Sequence, residues 1–466
     1  MSGRPFRHAL VAGGSIAGLL AARVLSNFFE RVTLAERDAL ASGPDARKSV
    51  PQGRHIHALL ARGREVLETL FPGIGEELCA DGAVLLNGTR DIAWHHAGDW
   101  RVRYDGHLPV LCMGRPLLEA AVARRVRALS NVALLDGTGI DGLTGDGDGS
   151  VTGARIAGAA GELGNIAADL VVDATGRGSA LPRWLAGMGH DAPREELLEA
   201  RVAYASCVFR QPERRPDWRA LLVTGPSARR SGMIVPIEGG RWLATLNSRF
   251  DEPSPRDQAS FLAFAQSLPV PDLHEALRAA EPVSAVASYR FVGSLRRRYE
   301  RLARLPEGVI AVGDAVCSFN PMYGQGMTVA AVEAERLAAM LSEARRDGGL
   351  ASDFGPHWFR AVEPAVHGAW NGVAIEDLRF PELADRRPAR VRPLQWYMAQ
   401  VHSATHRSAA VTDRFYRVMN FLDPPAALFR PRILADVLLG GLDGSRKRAR
   451  PAPGPSAIAH ASGLPR

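Results

Sequence analysis

The chain has 466 residues, of which 46% are apolar and 23% charged, with a formal net charge of +7. That length implies two to three domains of ordinary globular composition, and no apolar run reaches the roughly 18 residues of a membrane span. Cys79, Cys112, Cys207 and Cys317 make no Cys-x-x-Cys pair, and the arginine-rich excess charge is interleaved with acids, so a zinc site, a disulfide framework and nucleic-acid binding are all set aside.

In chain order, His8 to Ala12 predicts a strand, Gly13 to Gly18 a tight turn, Leu19 to Asn27 a helix and Arg31 to Glu36 a second strand. The apolar start is too short and too glycine-broken for a secretory leader, which gives a cytoplasmic expectation. Residues 57–80 read as helical with a break at Phe71-Pro72-Gly73, and 116–129 as an amphipathic helix opened by Pro116. Strands are expected at 132–135 and 169–174, with a Gly- and Asp-rich hairpin tip at 142–153. From about 199 to 290 the apolar pattern alternates, predicting an antiparallel sheet interrupted by a helix near 256–267; Glu238-Gly239-Gly240 marks a hairpin. A buried strand at 308–312, a long helix at 327–345 and a helical region at 356–441 follow. The last twenty or so residues have a disordered composition.

The fold class expected from this order is α/β. A Rossmann-like nucleotide-binding domain (1–80, 110–190 and 290–345) is cut by a β-sheet substrate domain (81–109 and 191–289). A C-terminal helical region (346–444) and a tail (445–466) complete the chain.

Two segments carry the chemistry. In the first turn, Gly13 and Gly18 allow a backbone to approach a pyrophosphate at a helix start, and Ser15, Ile16 and Ala17 lie between them. Ser15 stands where a middle glycine is usual, with a hydroxyl able to donate to phosphate. Glu36, followed by Arg37, ends the second strand where an acid accepts from the adenosine ribose. This motif alone does not separate NAD from FAD. In the second, Gly313-Asp314 closes a strand and precedes Asn320-Pro321-Met322-Tyr323-Gly324-Gln325-Gly326-Met327 and a long helix. Asp314 is placed to accept from a sugar-chain hydroxyl. The loop Pro321, Gly324, Gly326, Met327 is expected to present N–H groups and a positive helix end to the edge of a flavin ring.

With Asp173-Ala174-Thr175-Gly176-Arg177, these segments resemble the single-component flavoprotein monooxygenases, the para-hydroxybenzoate hydroxylase superfamily, over residues 8 to 330. Residues 47–57 and 169–179 look like the bacterial branch containing polyether epoxidases. The resemblance implies FAD as cofactor, NADPH or NADH as electron donor and O2 as co-substrate. It implies one oxygen atom passed from a flavin hydroperoxide to an apolar polyketide, terpenoid or aromatic molecule, by epoxidation or hydroxylation in natural-product biosynthesis. It further implies cofactor contacts from Arg47, Arg115, Asp173 and Gly176, and an adenine contact from the Ile140 backbone. No residue is assigned as catalytic acid or base, and no metal is expected. His55, His57 and Tyr323 are candidates near the ring, with structural roles the more ordinary reading of each.

The rivals are a flavin-dependent halogenase and a reductase of the geranylgeranyl-reductase type. The first would want a Trp-x-Trp-x-Ile-Pro segment and a catalytic lysine. No two tryptophans here are separated by one residue, and Lys48 is the only lysine outside the tail. The reductase remains the alternative. Oligomeric state is not legible.

Overall fold

A strand with no polar face must be covered on both sides, which is the condition of a central strand in a parallel sheet. Phe6–Ala12 meets it: all but one of its residues are buried. In the computed structural model, which describes residues 6–39, 51–147, 149–158, 161, 163–224 and 229–440, this strand is the middle of five. The order is Val309–Ala311, Leu170–Asp173, Phe6–Ala12, Phe29–Glu36, Val132–Asp136, and every pairing is parallel. The chain leaves Phe6–Ala12 toward Phe29–Glu36 on one side and reaches Leu170–Asp173 on the other, a topological switch point.

Helices Ile16–Leu25 and Gly326–Arg346 pack on each other; Ala61–Leu70 and Phe354–Asp377 flank the longer one. Leu10, Leu34, Val172, Ile310, Leu337 and Trp358 share one core, and Trp358 donates its indole N–H to the Ala311 carbonyl at 2.9 Å. The expected helix over 57–80 is two helices, Ala61–Leu70 and Ile74–Ala80, broken at Phe71-Pro72-Gly73 as the sequence indicated. The hairpin of Thr138–Gly145 and Val151–Gly158 carries Ile140.

The second sheet runs Val202–Arg210, Arg241–Arg249, Arg230–Ile237, Ala220–Val223, Ile92–His96, Asp99–Trp100. It departs from the antiparallel expectation at one rung: Ala220–Val223 pairs with Ile92–His96 in parallel. Ile92–His96 arrives from far earlier in the chain, so no hairpin turn dictates its direction.

Alternation gives this sheet two different faces. Ala205, Cys207, Ile234, Ala244 and Leu246 pack beneath Phe261, Leu273 and Leu277 of two helices, Gln258–Gln266 and Asp272–Arg278. The second of these was not anticipated, because seven residues span too few turns for a clear period. On the opposite face, the register aligns Ser206, Thr245, Met233, Leu222 and Trp94 in one row. Tyr204, Asn247, Ser231, Thr224 and His96 form the next row, tied by Asn247–Ser231 and His96–Thr224 hydrogen bonds.

Helices Val391–Ala404, Ala409–Met419 and Pro431–Leu438 form a third cluster around Val401, Val411, Phe415 and Ile433, against which Trp94 packs. The aromatic residues of 395–433 thus serve mainly as core, with Trp396 exposed. The C-terminal tail and Arg47 lie outside the described residues.

Candidate active site

The carboxyl ends of the parallel strands converge. Gly13 N–H donates to the Ala35 carbonyl, Ala174 N–H to Ala12, and Val312 N–H to Asp173, each at 2.8–2.9 Å. The first turn tolerates no side chains: a methyl on Gly18 would stand 1.8 Å from the Gly13 carbonyl oxygen, and one on Gly13, at φ +100°, 2.5 Å from that of Ala174. Helix Ile16–Leu25 then starts with no side-chain cap, leaving its first N–H groups available to an anion.

Glu36 is buried and oriented by two backbone donors, Gly14 at 2.6 Å and Asp38 at 3.0 Å. Ser15 is not simply a spare phosphate donor. Its hydroxyl donates to Glu119 at 2.8 Å and accepts from Arg115 at 2.9 Å, so the bare N–H groups are the donors that turn retains, with Arg115 beside them ion-paired to Glu119 at 2.9 Å. Arg37 is exposed beside Gly139, one residue from Ile140.

The second turn meets the first. Gly313, at φ +62°, would collide with the Ala17 side chain if it carried a methyl, at 2.7 Å, and Gly176 and Gly326 both face Asp314 within 4 Å. Asp314 is reachable by solvent, yet the surrounding protein raises its carboxyl above the ordinary range, while Arg115 and Arg177 pull it down. Helix Gly326–Arg346 also begins without a side-chain cap, after Gly324 at φ +65°. Gly13, Ala17, Gly18, Gly176, Gly313, Asp314, Arg115 and Gly326 thus form one crevice with two bare helix starts. Two glycine cradles, free N–H groups and a reachable carboxylate fit a dinucleotide with a polyhydroxyl chain.

Asp173 is buried at the end of its strand and held by its own turn. Its carboxylate accepts from Thr175 N–H at 2.9 Å, from the Thr175 hydroxyl and from the Ser179 hydroxyl, so it braces the turn that carries Gly176. Glu333, which the motif reading missed, does the same for the second turn: it accepts from Gly313 N–H at 2.6 Å. Burial pushes its carboxyl up to about 8, against the pull of that hydrogen bond.

Across from the loop Pro321–Tyr323 stands the polar sheet face. His55 bonds through Nδ1 to the Ser206 hydroxyl at 2.7 Å, and Ser206 continues to Thr245 at 2.6 Å. Tyr204 and Tyr289 flank the ring. Burial lowers His55 to about 4 and His57 to about 3, the latter with help from Arg115, so both imidazoles are neutral near pH 7. Asn320 accepts from Tyr204 and donates to Asp377, which also binds Arg249 and the Tyr323 hydroxyl at 2.7 Å. The Tyr323 hydroxyl therefore braces the loop. Cys317 is buried and burial pushes its thiol well up, which suits a packing residue. Among the described residues, no cluster of His, Cys, Asp and Glu could hold a metal, and no helix is long and apolar enough to cross a membrane.

Comparison with known proteins adds the following. A family model described as an FAD binding domain matches residues 7–352. Protein Rv3254 of Mycobacterium tuberculosis is 34% identical, over 96% of this chain and 98% of its own. The 6-methylpretetramide 4-monooxygenase of Streptomyces rimosus is 28% identical, over 74% of this chain and 77% of its own. The flavin-dependent brominase Bmp2 shares the fold with a TM-score of 0.65 at 16% identity, covering 89% of this chain and 93% of that one.

Proposed function

The chain belongs to the FAD-binding family of the para-hydroxybenzoate hydroxylase superfamily, and on that basis we propose that it is a monooxygenase inserting one oxygen atom of O2 into an apolar polyketide, terpenoid or aromatic substrate. Alkene epoxidation or hydroxylation in natural-product biosynthesis is the reaction, and NADPH or NADH the electron donor. The observation that carries the reading is the meeting of the Gly13–Gly18 turn with Gly313-Asp314 and the bare start of Gly326–Arg346. An NAD-binding domain has no need of that second site.

In this reading the N–H groups at Ile16 to Gly18 and Arg115 hold the pyrophosphate, Glu36 takes the ribose, and Asp314 a hydroxyl of the ribityl chain. Arg37 and the Ile140 backbone serve the adenosine half, the resemblance assigns Arg47 to the phosphate or ribityl region, and Gly324, Gly326 and Met327 offer N–H groups and a positive helix end to the ring. Bound FAD supplies the activation of O2. The chain supplies position and dryness: Pro321–Tyr323 and the residues around His55 form the two walls, and the aromatic side chains between them exclude water. A polyketide substrate is favoured by the relative acting on 6-methylpretetramide, and epoxidation by the likeness of 169–179 to polyether epoxidases.

The test is turnover of multi-ring and polyene polyketides under isotopically labelled O2 with NADPH or NADH. One labelled atom in the product is expected. A product formed only by gain or loss of hydrogen would replace this reading with the reductase alternative.

A further inference from the structure

We propose that the far end of the polar sheet face is an oxyanion site, centred on Arg101, that grips an acidic oxygen of an elongated planar substrate. The reaction this serves rests on the monooxygenase reading; the binding does not.

Arg101 is 3% exposed. Its guanidinium carbon lies 3.7 Å from the Trp94 ring centroid and 4.3 Å from that of Phe415, with Tyr416 further out at 5.9 Å. Nη2 donates to His402 Nδ1 at 3.2 Å, and the Tyr416 hydroxyl is a second polar neighbour of the guanidinium. Nε and Nη1 have no acceptor, and no carboxylate among the described residues reaches Arg101 as an ion pair. The nearby acid, Glu376, is engaged elsewhere, 3.0 Å from Arg379 and 3.7 Å from His402. His96 faces the same space: its Nδ1 meets Thr224, its Nε2 is unpartnered, and its ring centroid is 4.4 Å from that of His402. Burial keeps both histidines below their ordinary range, so they are neutral neighbours that can share a proton-poor guest.

A buried guanidinium sandwiched between aromatic rings is well packed but not well satisfied. Ring faces attract the charge, yet they do not accept N–H groups in the plane of the guanidinium. Buried donors without acceptors mark places where something else completes the structure. An oxygen anion is the guest that matches an unpaired, permanently charged fork.

Position sets the guest's shape. The row Tyr204, Asn247, Ser231, Thr224, His96 crosses five strands, which is about 19 Å. At one end Tyr204 bonds Asn320, which opens the Pro321–Tyr323 loop; at the other is the Arg101 cage. One strand in from Tyr204, Asn247 Oδ1 is also buried and unpartnered. Beneath, the consecutive Asp377 and Glu376 serve the loop and the cage in turn. A single-ring acid anchored at Arg101 would not reach the loop. A multi-ring or chain molecule bearing a carboxylate or an ionised phenol would.

The experiment uses the FAD-loaded protein without NADPH or NADH. Tryptophan fluorescence, to which Trp94 contributes, and equilibrium dialysis follow the binding of naphthoate against naphthamide, and of nitrophenolate against nitroanisole at a pH above the phenol's pKa. The charged member of a pair is expected to bind about tenfold tighter or more, and the pair with the larger ratio tells carboxylate from phenolate. Arg101→Met should abolish the preference while FAD content and near-UV dichroism stay unchanged. Arg101→Lys, the safer variant for folding, should weaken the charged probes and spare the neutral ones. Equal binding of charged and neutral probes to the native protein would overturn the proposal, as would equal loss of both in Arg101→Lys. Because no turnover is involved, such a failure leaves the labelled-oxygen result untouched, and the converse also holds.

Discussion

Arg249 Nη1 lies 2.8 Å from Asp377 Oδ1, with side chains 5% and 0% exposed. The pair joins the strand Arg241–Arg249, the end of the long helix Phe354–Asp377 and, through Tyr323 and Asn320, the loop of the candidate ring site. Removing one partner strands a buried charge, which typically costs about 3–5 kcal/mol. Asp377→Leu should therefore lower the denaturation midpoint sharply and loosen FAD. The double variant Arg249→Met/Asp377→Leu should recover part of the stability, as read by urea titration.

Gly18→Ala places a methyl against the Gly13 carbonyl, and nothing there is a flexible side chain that can give way. The expected outcome is protein that is poorly folded or free of flavin. Asp314→Ala removes a carboxylate that faces solvent and not the core. That variant should fold normally and purify without FAD, as judged by visible absorbance and dichroism.

Glu333 keeps its proton to about pH 8 in the folded state, whereas an unfolded glutamate loses it in the ordinary carboxylate range. Between these values the folded state binds more protons, so this group's contribution to stability falls as pH rises through the window. Glu333→Gln can still accept from Gly313 N–H. Relative to the native protein it should gain stability on going from pH 5 to pH 8 (roughly the window set by the two values). Glu333→Ala leaves the N–H unpaired and should cost about 1–3 kcal/mol.

His55 titrates the other way. Its folded value near 4 lies below the ordinary 6.5, so the unfolded state takes up the proton first as pH falls. The linked loss of stability grows from about pH 6.5 to about pH 4 and amounts to roughly 3 kcal/mol. In His55→Gln that slope should be absent, so the stability gap between native and variant protein should narrow toward acid pH.

How much of this was legible follows from distance along the chain. The βαβ start, both glycine turns and the Glu238-Gly239-Gly240 hairpin are local patterns, and each folded as its residues indicated. The crevice itself is assembled from segments that name their chemistry, such as Gly313-Asp314. Arg249, Asp377 and Arg101 carry no such signature, because each owes its role to partners brought by other elements. Glu333 left a trace: it is an acid among Ala330, Ala331, Ala334 and Leu337 on the buried stripe of its helix. Ser15 and Tyr323 were placed in the right loops, but hydrogen-bond partners decide what a hydroxyl does, and those partners are tertiary.

The most direct test of an oxygen-activating flavin site is kinetic. The holoprotein is reduced without oxygen, mixed rapidly with oxygenated buffer and followed by absorbance. A transient spectrum distinct from both reduced and oxidised flavin, longer-lived when substrate is bound, is the predicted result. Direct single-step return to the oxidised spectrum, with or without substrate, would contradict the account.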